Sequence, residues 1–271
     1  MFAAPITEPM QRSRGDAFVS LAHGAAGLRQ LGSAKCILPH GAAGRGGVPE
    51  VVFVNTSGGL TGGDALCYAV TLGAQAQAVA TTQTAERAYR SSGGAARVQV
   101  TLEVGPGGWL DWLPQETILF ENSRMDRRTV IDLGPGAGCL LSESVVLGRA
   151  AMGETRTQVA LRDWREIRHA GHPVMVLPLV LSDRTLHSGG AGLAGCRAFA
   201  SIAMVGQGVA DLLDPLRAVL DEPGVAAAAS TPQGRLMLRA LAGDGWPLRR
   251  QMARALAVLR RGQPLPRVWQ M

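Results

Sequence analysis

Thirty-five glycines and fifteen prolines cut this 271-residue chain into many short segments of β character, and that punctuation limits its fold more than any other feature. Residues 51–54, 66–72, 76–81, 97–104, 116–121, 128–133, 139–147, 155–161, 173–181 and 196–204 read as strands. The alternation is clearest in 97–104, where Val98, Val100, Leu102 and Val104 share one face and Arg97, Gln99, Thr101 and Glu103 the other. Strands at this spacing with glycine-rich turns predict a mainly β fold of layered sheets. With 46% hydrophobic and 18% charged residues, the chain has ample material for a core.

A faint internal repeat points the same way. Thr71-Leu72-Gly73-Ala74, Glu103-Val104-Gly105-Pro106-Gly107 and Asp132-Leu133-Gly134-Pro135-Gly136 recur about thirty residues apart, each a strand end running into a tight turn. Each is followed by a polar stretch containing a glutamate: Glu86, Glu116 and Glu143. The last third of the chain changes character. Residues 209–220 read as a helix, 235–241 as a strand. From Pro247 onward Leu248, Met252, Ala255, Leu256 and Leu259 form an apolar helical stripe. Arg249, Arg250 and Arg254 fall mostly on the other faces. The expected organisation is an N-terminal extension (1–20), a β-rich body (21–208) and a small helical or mixed C-terminal segment (209–271) packed on the same domain.

Motifs of known chemistry are missing where they would matter. The segment 55–64, Asn-Thr-Ser-Gly-Gly-Leu-Thr-Gly-Gly-Asp, is glycine-rich, yet it lacks the lysine and spacing of a phosphate-binding loop and reads as a demanding turn ending in Asp64. The stretch 80–90 is rich in hydroxyls, and with Glu86 offers hard oxygen donors that could solvate a cation loosely. His169 and His172 have metal-like spacing, but Gly171 and Pro173 put them in a loop without a third ligand. No serine-hydrolase, zinc-protease or Cys/His signature occurs. Cys36, Cys67, Cys139 and Cys196 are widely separated and read as free, mostly buried thiols.

The formal net charge is +6, carried almost wholly by arginine, with Lys35 the single lysine. Nucleic acid is the first partner such a balance suggests. The arginines are dispersed, however, and aromatic residues make up only 4%, leaving few stacking platforms. A basic surface that docks on acidic proteins fits better. The apolar run 173–181 is broken by Pro178 and falls far short of a membrane span. Residues 1–18 carry Glu8, Arg12, Arg14 and Asp16 without an apolar stretch, so a cytoplasmic protein is expected.

Taken together, the ordered segments resemble one family. NTSGGLTGGD (55–64, with Ser57, Gly58, Gly59, Gly62 and Gly63), TTQTAERAYR (81–90, with Thr82, Gln83 and Arg87), WLPQETILFEN (112–122), GRAAMGE (148–154) and LPRVW (265–269) are similar to signature stretches of the urease accessory protein family UreD, also called UreH. Gln115 stands where the family has proline, and Arg87 where it more often has lysine.

The resemblance implies a non-enzymatic maturation factor that binds UreF directly, UreG through UreF, and the urease apoprotein. It implies no tightly bound cofactor, with nickel in transit to the urease active site. On this reading Asp64, Glu86, Glu116 and Glu143 line a weakly binding metal path, since tight imidazole or thiolate ligation would trap the ion. Leu248, Met252, Leu256, Leu259, Arg249, Arg250 and Arg254 are expected to dock UreF. Two other readings stand beside it: a β-layer carbohydrate-active enzyme, which needs two converging carboxylates in an open cleft, and a basic nucleic-acid-binding module.

Overall fold

A computed structural model describes residues 11–22, 25–39, 48–148, 158–186 and 192–270. The fold is mainly β. In chain order the strands are β1 (Arg14–Ala22), β2 (Ala25–Gly32), β3 (Ala34–Ile37), β4 (Glu50–Asn55), β5 (Ala65–Leu72), β6 (Gln77–Thr82), β7 (Glu86–Ala88), β8 (Ala96–Val104) and β9 (Trp109–Trp112). They continue with β10 (Thr117–Leu119), β11 (Ser123–Leu133), β12 (Gly138–Leu147), β13 (Val159–His169), β14 (His172–Leu181), β15 (Ala198–Val205), β16 (Val225–Ser230) and β17 (Leu236–Ala242). The helices are α1 (Asp183–Leu186), α2 (Leu213–Arg217) and α3 (Gly245–Leu259).

Two sheets form. The first has the order β14-β13-β11-β8-β5-β1-β2, and the second β16-β17-β15-β12-β9-β6-β4-β3, with β10 bridging β12 and β7. The repeat seen in the sequence is the winding of the chain between them. β5, β8 and β11 lie side by side and parallel in the first sheet, and their successors β6, β9 and β12 do the same in the second. Parallel neighbours need a crossover, and here the strand of the opposite sheet supplies it in place of a helix.

Each crossing turns at a glycine corner, and the corners stack: the amides of Gly73, Gly105 and Gly134 bond to the carbonyls of Leu21, Leu72 and Val104 at 2.8–2.9 Å. A Cβ on Gly105 would lie 2.6 Å from the Gly73 carbonyl carbon, so the stacking excludes a side chain there.

The main core fills the space between the sheets, around Phe53, Tyr68, Leu102, Trp112 and Ile131. A second core lies on the far side of the second sheet, where α3 packs on β15, β16 and β17. Asp244 starts that helix by accepting the Trp246 amide at 3.2 Å, three residues before the expected Pro247.

Three expectations need adjusting. β1 starts at Arg14 and sits inside the first sheet, so the boundary at residue 20 cuts a core strand. The 209–220 helix is a short 3-10 turn followed by α2. The 209–271 segment also contributes β16 and β17 to the second sheet. The GRAAMGE stretch from residue 149 on, residues 155–157, His23, His40 and His187 lie outside the described residues.

Candidate functional site: a buried charged track between the sheets

Strands β11 and β13 alternate apolar-in and polar-out until their middles, where charged residues point inward. Met125 and Ile131 flank Arg127 on β11, and Leu161 and Ile167 flank Asp163 and Arg165 on β13. The parallel register pairs Arg127 directly with Asp163. The Arg127 guanidinium grips the Asp163 carboxylate with both ends, Nε to Oδ1 at 3.0 Å and Nη2 to Oδ2 at 2.7 Å. Its Nη1 donates to Thr117 Oγ1 at 3.0 Å and also lies 2.7 Å from Glu143 Oε2 across the intersheet space.

That last contact is Coulombic rather than a hydrogen bond, and Glu143 Oε2 is buried without a hydrogen-bond donor. The other oxygen, Oε1, accepts from Trp112 Nε1 at 3.1 Å. Arg165 continues the line: its Nε lies 3.3 Å from Asp163 Oδ2, and its Nη1 donates to Ser201 on β15. Ser201 is paired with Arg239 on β17, which is exposed. At the opposite end Glu86, on β7, accepts from Asn55 Nδ2 at 3.1 and 3.3 Å and feels the Arg127 charge. A line of polar groups thus runs between the sheets from Glu86 to the surface at Arg239.

The electrostatics differ along the line. Burial raises the Glu143 carboxyl above its ordinary value despite Arg127, and the neighbouring Asp163 charge adds to the effect. Burial also works against the Asp163 charge, but Arg127 and Arg165 outweigh it and hold that carboxyl below its usual range. Burial pushes Glu86 up to about 7 against the Asn55 hydrogen bonds. Burial would lower Arg127, but Asp163 and Glu143 more than compensate, and its guanidinium stays firmly charged. One carboxylate is therefore locked in an ion pair, while two others sit closer to protonation.

Of the four acids expected to share a path, the structure brings Glu143 into contact with Arg127, leaves Glu86 within reach of its charge, and separates the other two. Asp64 closes its own turn, accepting from the Thr61 amide at 2.8 Å and the Ser13 amide at 2.7 Å. Glu116 points to the helical side and pairs with Arg249 at 3.1 Å. Arg127, Asp163 and Arg165 were not among the site residues expected from the sequence, and Asn55 entered only as the first residue of the glycine-rich signature. The available signal was a charged residue on the apolar face of a strand.

The glycine-rich signature is a turn that lies against the next one. The Leu60 amide bonds to the Arg87 carbonyl and the Tyr89 amide to the Leu60 carbonyl, both at 2.7 Å. Gly59 has φ +148°, and a Cβ there would meet the Tyr89 ring at 2.3 Å. Ser57 Oγ donates to Asn55 Oδ1 at 2.6 Å, which places the amide that holds Glu86. Gly58, Gly62 and Gly63 complete the turn. Thr82 Oγ1 accepts the Gln115 amide at 2.9 Å, the Gln83 amide bonds to the Phe53 carbonyl, and Arg87 is exposed.

The docking expectation for α3 is corrected by its packing. Leu248, Met252, Leu256 and Leu259 are at most 2% exposed and form the second core, so none of them is open to a partner. Arg249 reaches Gln115 Oε1 at 2.6 Å and stacks 4.9 Å from the Trp269 ring, whose Nε1 donates to the Leu113 carbonyl at 2.9 Å. The WLPQE and LPRVW stretches thus meet each other. Arg250 pairs with Glu222, and Arg254 with Asp221 and Glu222, while both remain partly exposed. Among the described residues no three His, Cys, Asp or Glu side chains gather as a metal site, and His169 and His172 face each other across the exposed end of the β13–β14 hairpin. Glu143 and Asp163 share Arg127 in the interior and do not face an open, aromatic-lined cleft.

A model of the UreD urease accessory protein family matches residues 19–270. The chain is 61% identical to a urease accessory protein UreD of Cereibacter sphaeroides (strain ATCC 17025), covering 98% of each chain. It is 54% identical to one of Paracoccus denitrificans, covering all of this chain and 96% of the other. It is 38% identical to one of Agrobacterium fabrum, covering 98% and 93%.

Proposed function

The chain belongs to the UreD urease accessory protein family, and on that premise we propose that it acts in urease maturation as a non-catalytic scaffold that conducts Ni²⁺ along the track between its sheets. It holds the urease apoprotein and UreF directly, with UreG joined through UreF, in the cytoplasm. No cofactor stays bound, and nickel is cargo.

The observation that carries this reading is the Glu86–Arg127–Glu143–Asp163–Arg165 line in the core, with two carboxyls, Glu86 and Glu143, that burial holds above their ordinary range. Burying such groups costs stability that apolar residues would not. Oxygen donors bind Ni²⁺ less tightly than imidazole or thiolate, so a carboxylate track favours passage over storage. Glu143 Oε2 accepts no hydrogen bond and is held by the Arg127 charge 2.7 Å away, the contact an incoming cation displaces. Arg127 and Arg165 compete for the same carboxylates and keep the exchange fast.

The four apolar residues of α3 being in the core, UreF docks on the outward side of the C-terminal segment. Trp246, 53% exposed, and the partly exposed Arg250 and Arg254 offer an anchor and charge there.

The test is reconstitution of urease apoprotein with UreF, UreG, GTP, bicarbonate and nickel, with and without this chain. Nickel-loaded urease, and retention of all partners on a tagged copy of the chain, are expected only when it is present. Equal activation without it contradicts the reading.

A further inference from the structure

The outer face of the first sheet has no layer packed on it among the described residues. One register row crosses six of its strands: Arg14, Ala65, Arg97, Asp126, Arg162 and Val180. Adjacent strands are about 4.8 Å apart, so the three arginines recur every second strand, about 10 Å from one another. Arg14, Arg97 and Arg162 are exposed and make no ion pair or side-chain hydrogen bond with any described residue. Arg90 and Arg124 extend the same patch, likewise exposed and unpaired.

This is unusual within the chain, because the arginines elsewhere on the sheets and on α3 mostly have carboxylate partners, such as Arg128 with Glu166 and Arg254 with Asp221. A cleft of about 980 Å³ runs along the row, bounded by Arg14, Arg97, Arg162 and Trp164. It adjoins a second of about 580 Å³ that holds Arg90 and Arg124. Trp164, 41% exposed, and Val180, 57% exposed, give the cleft an apolar flank.

We infer that this face docks an acidic segment of a partner protein. Unpaired guanidiniums beside an exposed tryptophan form the residue combination that dominates protein interfaces. The volume is far larger than a single ion needs. Asp126, between Arg97 and Arg162 in the row, would repel a continuous run of phosphates but tolerates discrete carboxylates placed over the arginines. Strand twist makes the patch curved, which suits a protein segment laid across the strands. The inference rests on the scaffold reading above and adds to it the surface and chemistry of one docking contact, separate from the C-terminal segment.

The test compares wild type with Arg14→Gln/Arg97→Gln/Arg162→Gln, and with a charge-matched control, Lys35→Gln/Arg87→Gln/Arg184→Gln, whose residues lie outside both the row and the C-terminal segment. Circular dichroism and thermal unfolding establish that each is folded. The probes are urease apoprotein and UreF, each measured at low and high salt, with a labelled DNA duplex and sedimentation of the chain alone as further arms.

One of the two proteins should bind the row variant at least about tenfold more weakly at low salt, with a flattened salt dependence, while the control binds as wild type. Unchanged affinity of the row variant for both proteins overturns the docking face and leaves the scaffold reading standing. Binding of neither protein by wild type overturns both. Duplex binding or self-association that the row variant alone loses, with both proteins bound normally, assigns the face to nucleic acid or to a second copy and overturns the inference.

Discussion

Arg127 on β11 and Glu143 on β12 approach to 2.7 Å across the interior, and this ion contact joins the two sheets at the centre of the fold. Arg127 also holds Asp163 through two hydrogen bonds, so a single guanidinium compensates two buried carboxyls. Arg127→Met strips Glu143 of its ion partner and leaves Asp163 with Arg165 alone, and should destabilise the protein by about 3–5 kcal/mol. Glu143→Gln keeps the Arg127–Asp163 pair and should cost much less. Urea unfolding of the two variants checks the order, and a Met variant as stable as wild type would show that the charges are not coupled.

Glu86 gives the protein a predictable response to pH. Its folded value of about 7 lies above the ordinary 4.5, so the native state binds more protons than the unfolded chain between those values. The stability linked to this group is fully present below about pH 4.5 and is lost as pH rises through about 7. Between pH 5 and pH 8, wild type should lose stability relative to Glu86→Gln. Parallel stability curves for the two proteins would refute the assignment.

The winding of the chain was legible because it leaves local marks. The Gly73, Gly105 and Gly134 corners recur, and β8 alternates without interruption. β2 and β16 left no such mark. β2 is exposed along nearly its whole length, and β16 is largely alanine, so neither has a two-residue apolar period. The stripe on α3 identified which side of that helix is buried but not what covers it, and the cover is the chain's own second sheet. Glu86 and Glu143, like Glu116, drew notice in the sequence only through their place after the repeat turns. Arg127 and Asp163 meet only through the register of β11 and β13, which a single sequence does not display.

The glycine corners carry their own test. With the Gly73 carbonyl carbon 2.6 Å from where a Cβ would sit, Gly105→Ala forces two coils apart. The expected cost is about 1–3 kcal/mol, the range for overpacking a close-packed site. Gly136→Ala has open space around the added carbon, and its cost comes only from its backbone at φ +70°. Thermal unfolding should place Gly105→Ala below wild type with a loss of soluble protein.

Replacing Leu256 by Asp distinguishes packing from docking. Leu256 is fully buried against the second sheet, so a carboxylate there is desolvated without a partner. The variant should unfold or lose its cooperative transition. A folded Leu256→Asp protein that fails only in partner binding would mean that the side chain faces outward.

The central claim is that the charged track carries nickel. The most direct measurement is nickel delivered per urease active site by the Glu86→Gln/Glu143→Gln variant, in complexes shown to contain UreF, UreG and urease in wild-type proportions. The account predicts normal assembly with nickel loading reduced several-fold, and no such loss for Asp64→Asn or Glu116→Gln, whose carboxylates serve a turn and an arginine outside the track. Wild-type nickel loading by the double variant, at equal assembly, would contradict it.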